Sequence, residues 1–188
     1  MSNAVVLGAS KEGGTGWAIA EVLAKQGLSV VVGARCSEGI GKLRHMARRM
    51  KDGGSLVLMS TIAATNPWPG YFAYGCAKAA VQTLVKYAAL EYAPRGIRVN
   101  AVIPGPIQTP TASSILSNPN LRNALFREIP LGRTATTHEV AEAVAWFATG
   151  DGWITGECLH IDGGMHLRRP PHPDELQAAL QHSNATNA

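Results

Sequence analysis

The sequence predicts an α/β fold in which a parallel sheet is covered by helices on both faces. Three observations carry this. Short β-branched runs alternate with longer stretches of helical period. The first such run passes straight into a glycine-rich turn and then a helix, as a βαβ unit requires. The 188 residues are 46% hydrophobic and 16% charged, a globular composition of single-domain size.

Val5, Val6 and Leu7 make the first strand, and residues 8–16 the glycine-rich turn. Residues 17–25 set Ile19, Val22 and Leu23 on one helix face, and Gln26 and Gly27 end the helix. Residues 28–32 are a second, β-branched strand, so the unit closes by a right-handed parallel crossover. Residues 42–51 read as a short helix broken by Gly53 and Gly54, and residues 55–59 as the next strand. Pro67 and Pro69 keep residues 61–71 irregular. Residues 74–92, rich in Ala and Leu, form a long helix stopped at Arg95 and Gly96, and residues 97–103 another strand. A proline-rich loop covers 104–110, and a loop with a short helix 111–128. Residues 137–148 are a helix with Thr137 as N-cap and Glu139 and Glu142 in its first turns. Residues 157–161 are the last strand. Residues 1–167 are expected to form the domain, and 168–188 a partly flexible tail with a short helix over 174–182.

Composition excludes several classes. No apolar run approaches the roughly 18 residues that a membrane span needs. The first residues show neither a basic flank nor a cleavage site, so a soluble cytoplasmic protein is expected. The net charge is +4. Arg44, Arg48, Arg49 and Lys51 recur at helical spacing, which fits a solvated helix face better than a nucleic-acid-binding patch. Cys36, Cys76 and Cys158 have no paired spacing, and the six histidines no ligand spacing, so neither a disulfide framework nor a metal is expected.

A strand, a glycine turn and a helix in that order make a phosphate site. Backbone N–H groups at the helix start point outward, and the helix dipole favours negative charge there. Gly8, Gly14 and Gly16 can supply the tight turn and the close approach, with Ser10 and Lys11 in the same loop. Arg35 falls just past the second strand, where an arginine accommodates the 2′-phosphate of NADP rather than the free hydroxyl of NAD.

Tyr74 and Lys78 stand four apart at the start of the long helix and therefore share one face. An ammonium beside a phenol favours the phenolate and lowers the phenol's pKa from about 10. Such a tyrosine can exchange a proton with a substrate oxygen near neutral pH.

These residues lie in an order that resembles the short-chain dehydrogenase/reductase (SDR) family. Gly8, Ala9, Ser10, Gly14, Thr15 and Gly16 are similar to its glycine motif. Ser60 and Thr61 end a strand upstream of Tyr74 and Lys78, as the family's serine does. Asn100, Pro104, Gly105, Ile107 and Thr109 resemble its nicotinamide segment. Gly132, Arg133, Glu139, Asp162, Gly163 and Gly164 resemble its C-terminal signature.

The resemblance implies a Rossmann-like three-layer sandwich and an oxidoreductase moving a hydride between NADP(H) and a carbonyl or secondary alcohol. By it, Tyr74 is the general acid/base. Lys78 binds the nicotinamide ribose and tunes the tyrosine. Thr61, at the family spacing before the tyrosine, or else Ser60, holds the substrate oxygen. Pro104, Gly105, Ile107 and Thr109 line the nicotinamide end. Trp68, Tyr71, Phe72, Leu116, Leu121 and Phe126 are candidates for an apolar substrate pocket.

Two features depart from the family. The glycine loop is longer than usual, through Lys11, Glu12 and Gly13. The third and fourth strands and their helices are missing between Gly41 and Ser55, and with them the Asn-Asn-Ala-Gly motif. The shortened sheet is then expected to hold about five strands, ordered 28–32, 5–7, 55–59, 97–103 and 157–161, with the strand at 5–7 pairing directly with that at 55–59. The loss also removes one of the paired helices of the usual dimer face, which leaves a homo-oligomer open. A truncated chain acting as a binding module is the alternative to an active enzyme.

Overall fold

The computed structural model describes residues 3–7, 12–33, 50–110, 112–150, 152–169 and 172–185. Its first unit is β1 (Asn3–Leu7), α1 (Thr15–Lys25) and β2 (Ser29–Gly33), with β1 and β2 parallel and Val5 opposite Val31. Then come β3 (Ser55–Met59), a 3₁₀ turn (Ile62–Ala64), α2 (Phe72–Tyr92) and β4 (Arg98–Pro104). The chain continues through β5 (Ile107–Gln108), α3 (Ser113–Leu116), α4 (Pro119–Arg127) and β6 (Ala135–Thr136). It ends with α5 (Thr137–Thr149), β7 (Cys158–Ile161), a 3₁₀ turn (Met165–Leu167) and α6 (Pro173–Ala185). The helix expected at 42–51 falls almost wholly on residues outside the described set, as do Arg44, Arg48 and Arg49. Among the described residues, no helix is long and apolar enough to cross a membrane.

The α/β class and the parallel sheet stand as expected. β4 is the central strand, parallel to β3 on one side and β7 on the other. It is buried on both faces from Val99 to Ile103, so its sequence is apolar without alternation, Asn100 being the one polar residue in that run. On one face, Val102 packs with Ile19, Val22 and Leu23 of α1 and Val144, Ala145 and Phe147 of α5. On the other, Leu56 and Val99 pack with Ala88, Ala89 and Tyr92 of α2. These are the three layers.

Among the described residues, the expected pairing of β1 with β3 is not made. The hydrogen-bonded ladders are β1–β2 and β3–β4–β7, and they remain separate. A ladder demands strands about 4.8 Å apart in fixed register. Apolar packing is non-directional and tolerates another spacing. The junction that the missing strand would have filled is therefore held by α1 lying along α5.

Three local differences have local causes. The N-cap of α5 is Thr136, not Thr137: its Oγ1 accepts from Glu139 N–H (3.1 Å), and its own N–H donates to Glu139 Oε2 (2.8 Å), a reciprocal capping box. Residues 104–110 are not wholly loop, because Ile107 and Gln108 pair in parallel with Ala135 and Thr136. Two residues are too few to show a period. The short helix of the tail extends to Pro173–Ala185 and packs against α4.

Arg133 grips Glu139 with both terminal nitrogens (2.9 and 2.6 Å). That pair first, and the Thr136 N–H second, hold the Glu139 carboxyl at about 2. Because the folded value lies below the unfolded one, this stabilisation is present above about pH 4.5 and fades as pH falls toward about 2. Glu139→Gln should lower the melting temperature at pH 7 and converge on the parent near pH 2. Thr136→Ala should cost about 1 kcal/mol in urea unfolding. Leu23→Ala, at the junction, should cost about 2–5 kcal/mol, and hydrogen exchange should then show β1 and β2 amides opening before those of β4.

Candidate active site

β3 delivers the chain to the site at Met59. Ser60 extends the ladder by one bond, donating its N–H to Val102 O (2.9 Å). Thr61 is extended (φ −161°, ψ 155°) and N-caps the 3₁₀ turn, its Oγ1 accepting from Ala63 N–H at 3.4 Å. α2 then passes so close to this turn that a Cβ on Gly75 would stand 2.9 Å from Ala63 O. Glycine at 75 lets the first turn of the helix, with Tyr74, approach the end of β3.

The structure separates the roles of the two hydroxyls. Ser60 is 2% exposed; its Oγ donates to Lys78 O (3.0 Å) and accepts from Gln82 Nε2 (3.1 Å). It is a knot between strand end and helix. Thr61 is half-buried, and among the described residues its hydroxyl proton is uncommitted. Gln82 was not singled out from the sequence, although 74, 78 and 82 recur every four residues along one helix face, which was the available signal.

Lys78 Nζ donates to Met59 O (2.9 Å) and stands 5.9 Å from the centroid of the Tyr74 ring. Burial pushes the Lys78 ammonium below its ordinary value. Tyr74 is 46% exposed. Its ring meets Tyr71 edge-on at 6.2 Å, and Tyr71 meets Trp68 likewise at 6.3 Å, so an aromatic row leads from the loop to the phenol.

The cofactor-side residues divide. Gly8, Ser10, Lys11 and Arg35 lie outside the described residues. Gly14 is the N-cap of α1 and offers no side-chain cap, and Gly16 is in its first turn. The N–H groups there have no intrahelical acceptor. Gly13 (φ +72°) faces the ring of Pro110, 3.5 Å from where a Cβ would be, so the glycine turn abuts the end of the 104–110 segment. Within that segment Pro104 is buried at the end of β4, and Gly105 N–H donates to Ile161 O (3.1 Å). Ile107 is held in β5, and Thr109 Oγ1 accepts from Ala112 N–H (3.2 Å).

Of the apolar pocket candidates, Trp68, Leu116 and Phe126 pack onto a small core of Leu125, Ile129 and Met165. Leu121 is half-buried, and Phe72 is 85% exposed, turned to solvent rather than into a pocket.

A family profile described as Enoyl-(Acyl carrier protein) reductase matches residues 39–166. The chain is 42% identical over 115 residues to 3beta-hydroxysteroid dehydrogenase 1 of Eggerthella lenta, covering 61% of this chain and 44% of that protein. It is 41% identical over 115 residues to glucose 1-dehydrogenase of Gluconobacter oxydans, covering 61% and 43%. The chain thus spans less than half the length of these relatives. In structure it resembles a short-chain type dehydrogenase/reductase from Mycobacterium ulcerans, with a TM-score of 0.79 at 22% identity over 94% of this chain and 97% of that one.

Ser60→Ala strips one buried hydroxyl from both Lys78 O and Gln82 Nε2 and should cost about 1–3 kcal/mol in denaturant unfolding. Thr61→Ala, with one long bond to lose, should cost visibly less under the same conditions.

Proposed function

This chain belongs to the short-chain dehydrogenase/reductase family, and from that membership we propose that it is an NADP(H)-dependent oxidoreductase acting on a carbonyl or secondary alcohol. What supports the reading is Lys78, which stands 5.9 Å from the centroid of the Tyr74 ring and is bonded to Met59 O at the end of β3, two residues before Thr61. Tyr74, half-exposed, is the general acid in reduction and the base in oxidation. Thr61 supplies the free hydroxyl that orients the substrate oxygen, while Ser60 holds the helix that presents the pair. An ammonium has three donors. One from Lys78 is taken by Met59 O, and among the described residues the other two are uncommitted and can serve the ribose hydroxyls of a dinucleotide.

The described cofactor-side residues fit such a group. The uncapped first turn of α1 offers N–H groups to a pyrophosphate, and the left-handed Gly13 turns the loop against Pro110. Gly8, Ser10, Gly14 and Gly16 would line the phosphates; Pro104, Gly105, Ile107 and Thr109 would form the wall at the nicotinamide end. When bound, the nicotinamide supplies or accepts the hydride. Arg35, with Lys11, is the reason to favour NADP over NAD. The aromatic row from Trp68 to Tyr74 suits a substrate with an apolar portion.

Titration with NADPH and NADH, followed by melting with each, tests the reading. NADPH should bind more tightly and raise the melting temperature more. Tyr74→Phe should lower kcat by about 10²–10⁴ while leaving NADPH affinity unchanged. Thr61→Ala should lower turnover, and Thr61→Ser should restore it. A folded chain that neither binds NADPH nor turns over any member of a carbonyl panel would end the proposal.

A further inference from the structure

Away from Tyr74, one group of ligand-capable side chains comes together among the described residues: His160, Asp162 and His166. His160 lies on β7, and Asp162 follows two residues on, so the strand's period places both side chains toward one face. Gly163 (φ +63°) and Gly164 (φ +86°) then take left-handed conformations that reverse the chain. The 3₁₀ turn that follows carries His166 back over Asp162.

The carboxylate between the histidines is fixed in place. Asp162 is buried, its Oδ1 accepting from Gly164 N–H (3.0 Å) and its Oδ2 from His166 N–H (2.9 Å). His166 Nδ1 stands 2.9 Å from Oδ2, and the rings of His160 and His166 stack with centroids 4.3 Å apart. Each of the three residues brings one ligand atom within 4.8 Å of the other two. Independently, His160 Nε2 is shielded from solvent and has no hydrogen-bond partner among the described residues. A buried imidazole nitrogen left unpaired is costly and calls for an explanation.

We propose that His160, Asp162 and His166 form a binding site for a divalent transition-metal ion of the zinc class, with water completing its coordination. Two imidazoles and a carboxylate are a donor set that zinc accepts, with the fourth position open. The backbone bonds that hold Asp162 are the outer support a metal ligand needs. Bonds of about 2.0–2.1 Å in a tetrahedron place ligand atoms about 3.3 Å apart. His166 Nδ1 and Asp162 Oδ2, 2.9 Å apart, already lie inside that spacing, and the ligand atoms of all three residues are within 4.8 Å of one another, so the adjustment needed is small. His166, whose side chain is 36% exposed, has the freedom to turn and opens the site to solvent.

The place gives the ion a structural consequence. A Cβ on Gly105 would stand 2.9 Å from Asp162 Cα, so the 104–110 segment rests directly on the site. Bound metal braces the end of β7 against that segment. The proposal is independent of the oxidoreductase reading. The sequence showed no familiar histidine spacing because the approach of His166 depends on the two left-handed glycines, which spacing alone does not encode.

The test is calorimetric titration of the EDTA-stripped, desalted chain with Zn²⁺, with melting followed in parallel and Co²⁺ absorption as a probe of geometry. One equivalent should bind, the melting temperature should rise, and Co²⁺ should develop the visible bands of a tetrahedral site. His160→Gln and His166→Ala should each weaken zinc binding by about tenfold or more. His138→Gln, in the exposed His138–Glu142 pair on α5, should not. Should His160→Gln fail to fold by circular dichroism, the exposed His166 decides alone. Zinc affinity unchanged in His166→Ala overturns the proposal.

Discussion

The packing of α1 along α5 is the contact that joins the β1–α1–β2 unit to the rest of the molecule. In a full-width parallel sheet, neighbouring strands share the load through continuous ladders. Here β1–β2 and β3–β4–β7 are separate ladders. Ile19, Val22 and Leu23 on one helix and Val144, Ala145 and Phe147 on the other form the apolar seam between them. The C-terminal end of α5 is secured in turn: Arg98 Nη2 and Ser55 Oγ both donate to Phe147 O, and Arg98 Nη2 also reaches Gly150 O. Those bonds satisfy last-turn carbonyls that would otherwise lack partners. Helix, seam and sheet are thus one mechanical unit, and losing the seam would free β1–α1–β2 from the rest.

The candidate chemistry is built on the sturdier of the two ladders. β4 is buried along its length, and β3 is registered to it from Ser55 to Met59. The Ser60 knot then pins α2 where β3 stops. Tyr74, Lys78 and Thr61 therefore owe their positions to the central strand, not to the junction. Asn100 adds to this rigidity: it is fully buried, with Nδ2 donating to Ile154 O and Oδ1 accepting from Glu157 N–H. Both halves of its amide are used to fix the entry to β7, which makes it a structural residue at the heart of the sheet.

What the sequence revealed follows the range of the interactions involved. β3 and the long helix were legible because their patterns are local: four successive apolar positions, Leu56 to Met59, in one case, an Ala- and Leu-rich run in the other. The Tyr74–Lys78 pair was legible for the same reason, since helical spacing fixes its face. The distinction between Ser60 and Thr61 was not, because it depends on Gln82 reaching across from the helix. The β5–β6 ladder was not legible because two residues carry no period. The failed pairing of β1 with β3 is the instructive case. Hydrophobic pattern identifies both strands, but whether two edges meet is decided by the helices above them.

On the reading proposed above, this division has a thermodynamic consequence. The phosphate end of a dinucleotide site, Gly13 to Gly16, belongs to the β1–α1–β2 ladder. The nicotinamide end, Pro104 to Thr109, and the tyrosine belong to the other. A ligand that contacts both can bind fully only when the α1–α5 seam is closed. It must then favour the closed arrangement by the same factor by which closure favours its binding. In a complete sheet the intervening strand holds the two ends together whether or not ligand is present. Here part of that work passes to the ligand, and Gly13 against Pro110 is where the two ends already touch. On that reading the missing strand bears on the cofactor site chiefly through the seam that joins its two ends, because the tyrosine end is held by the central strand.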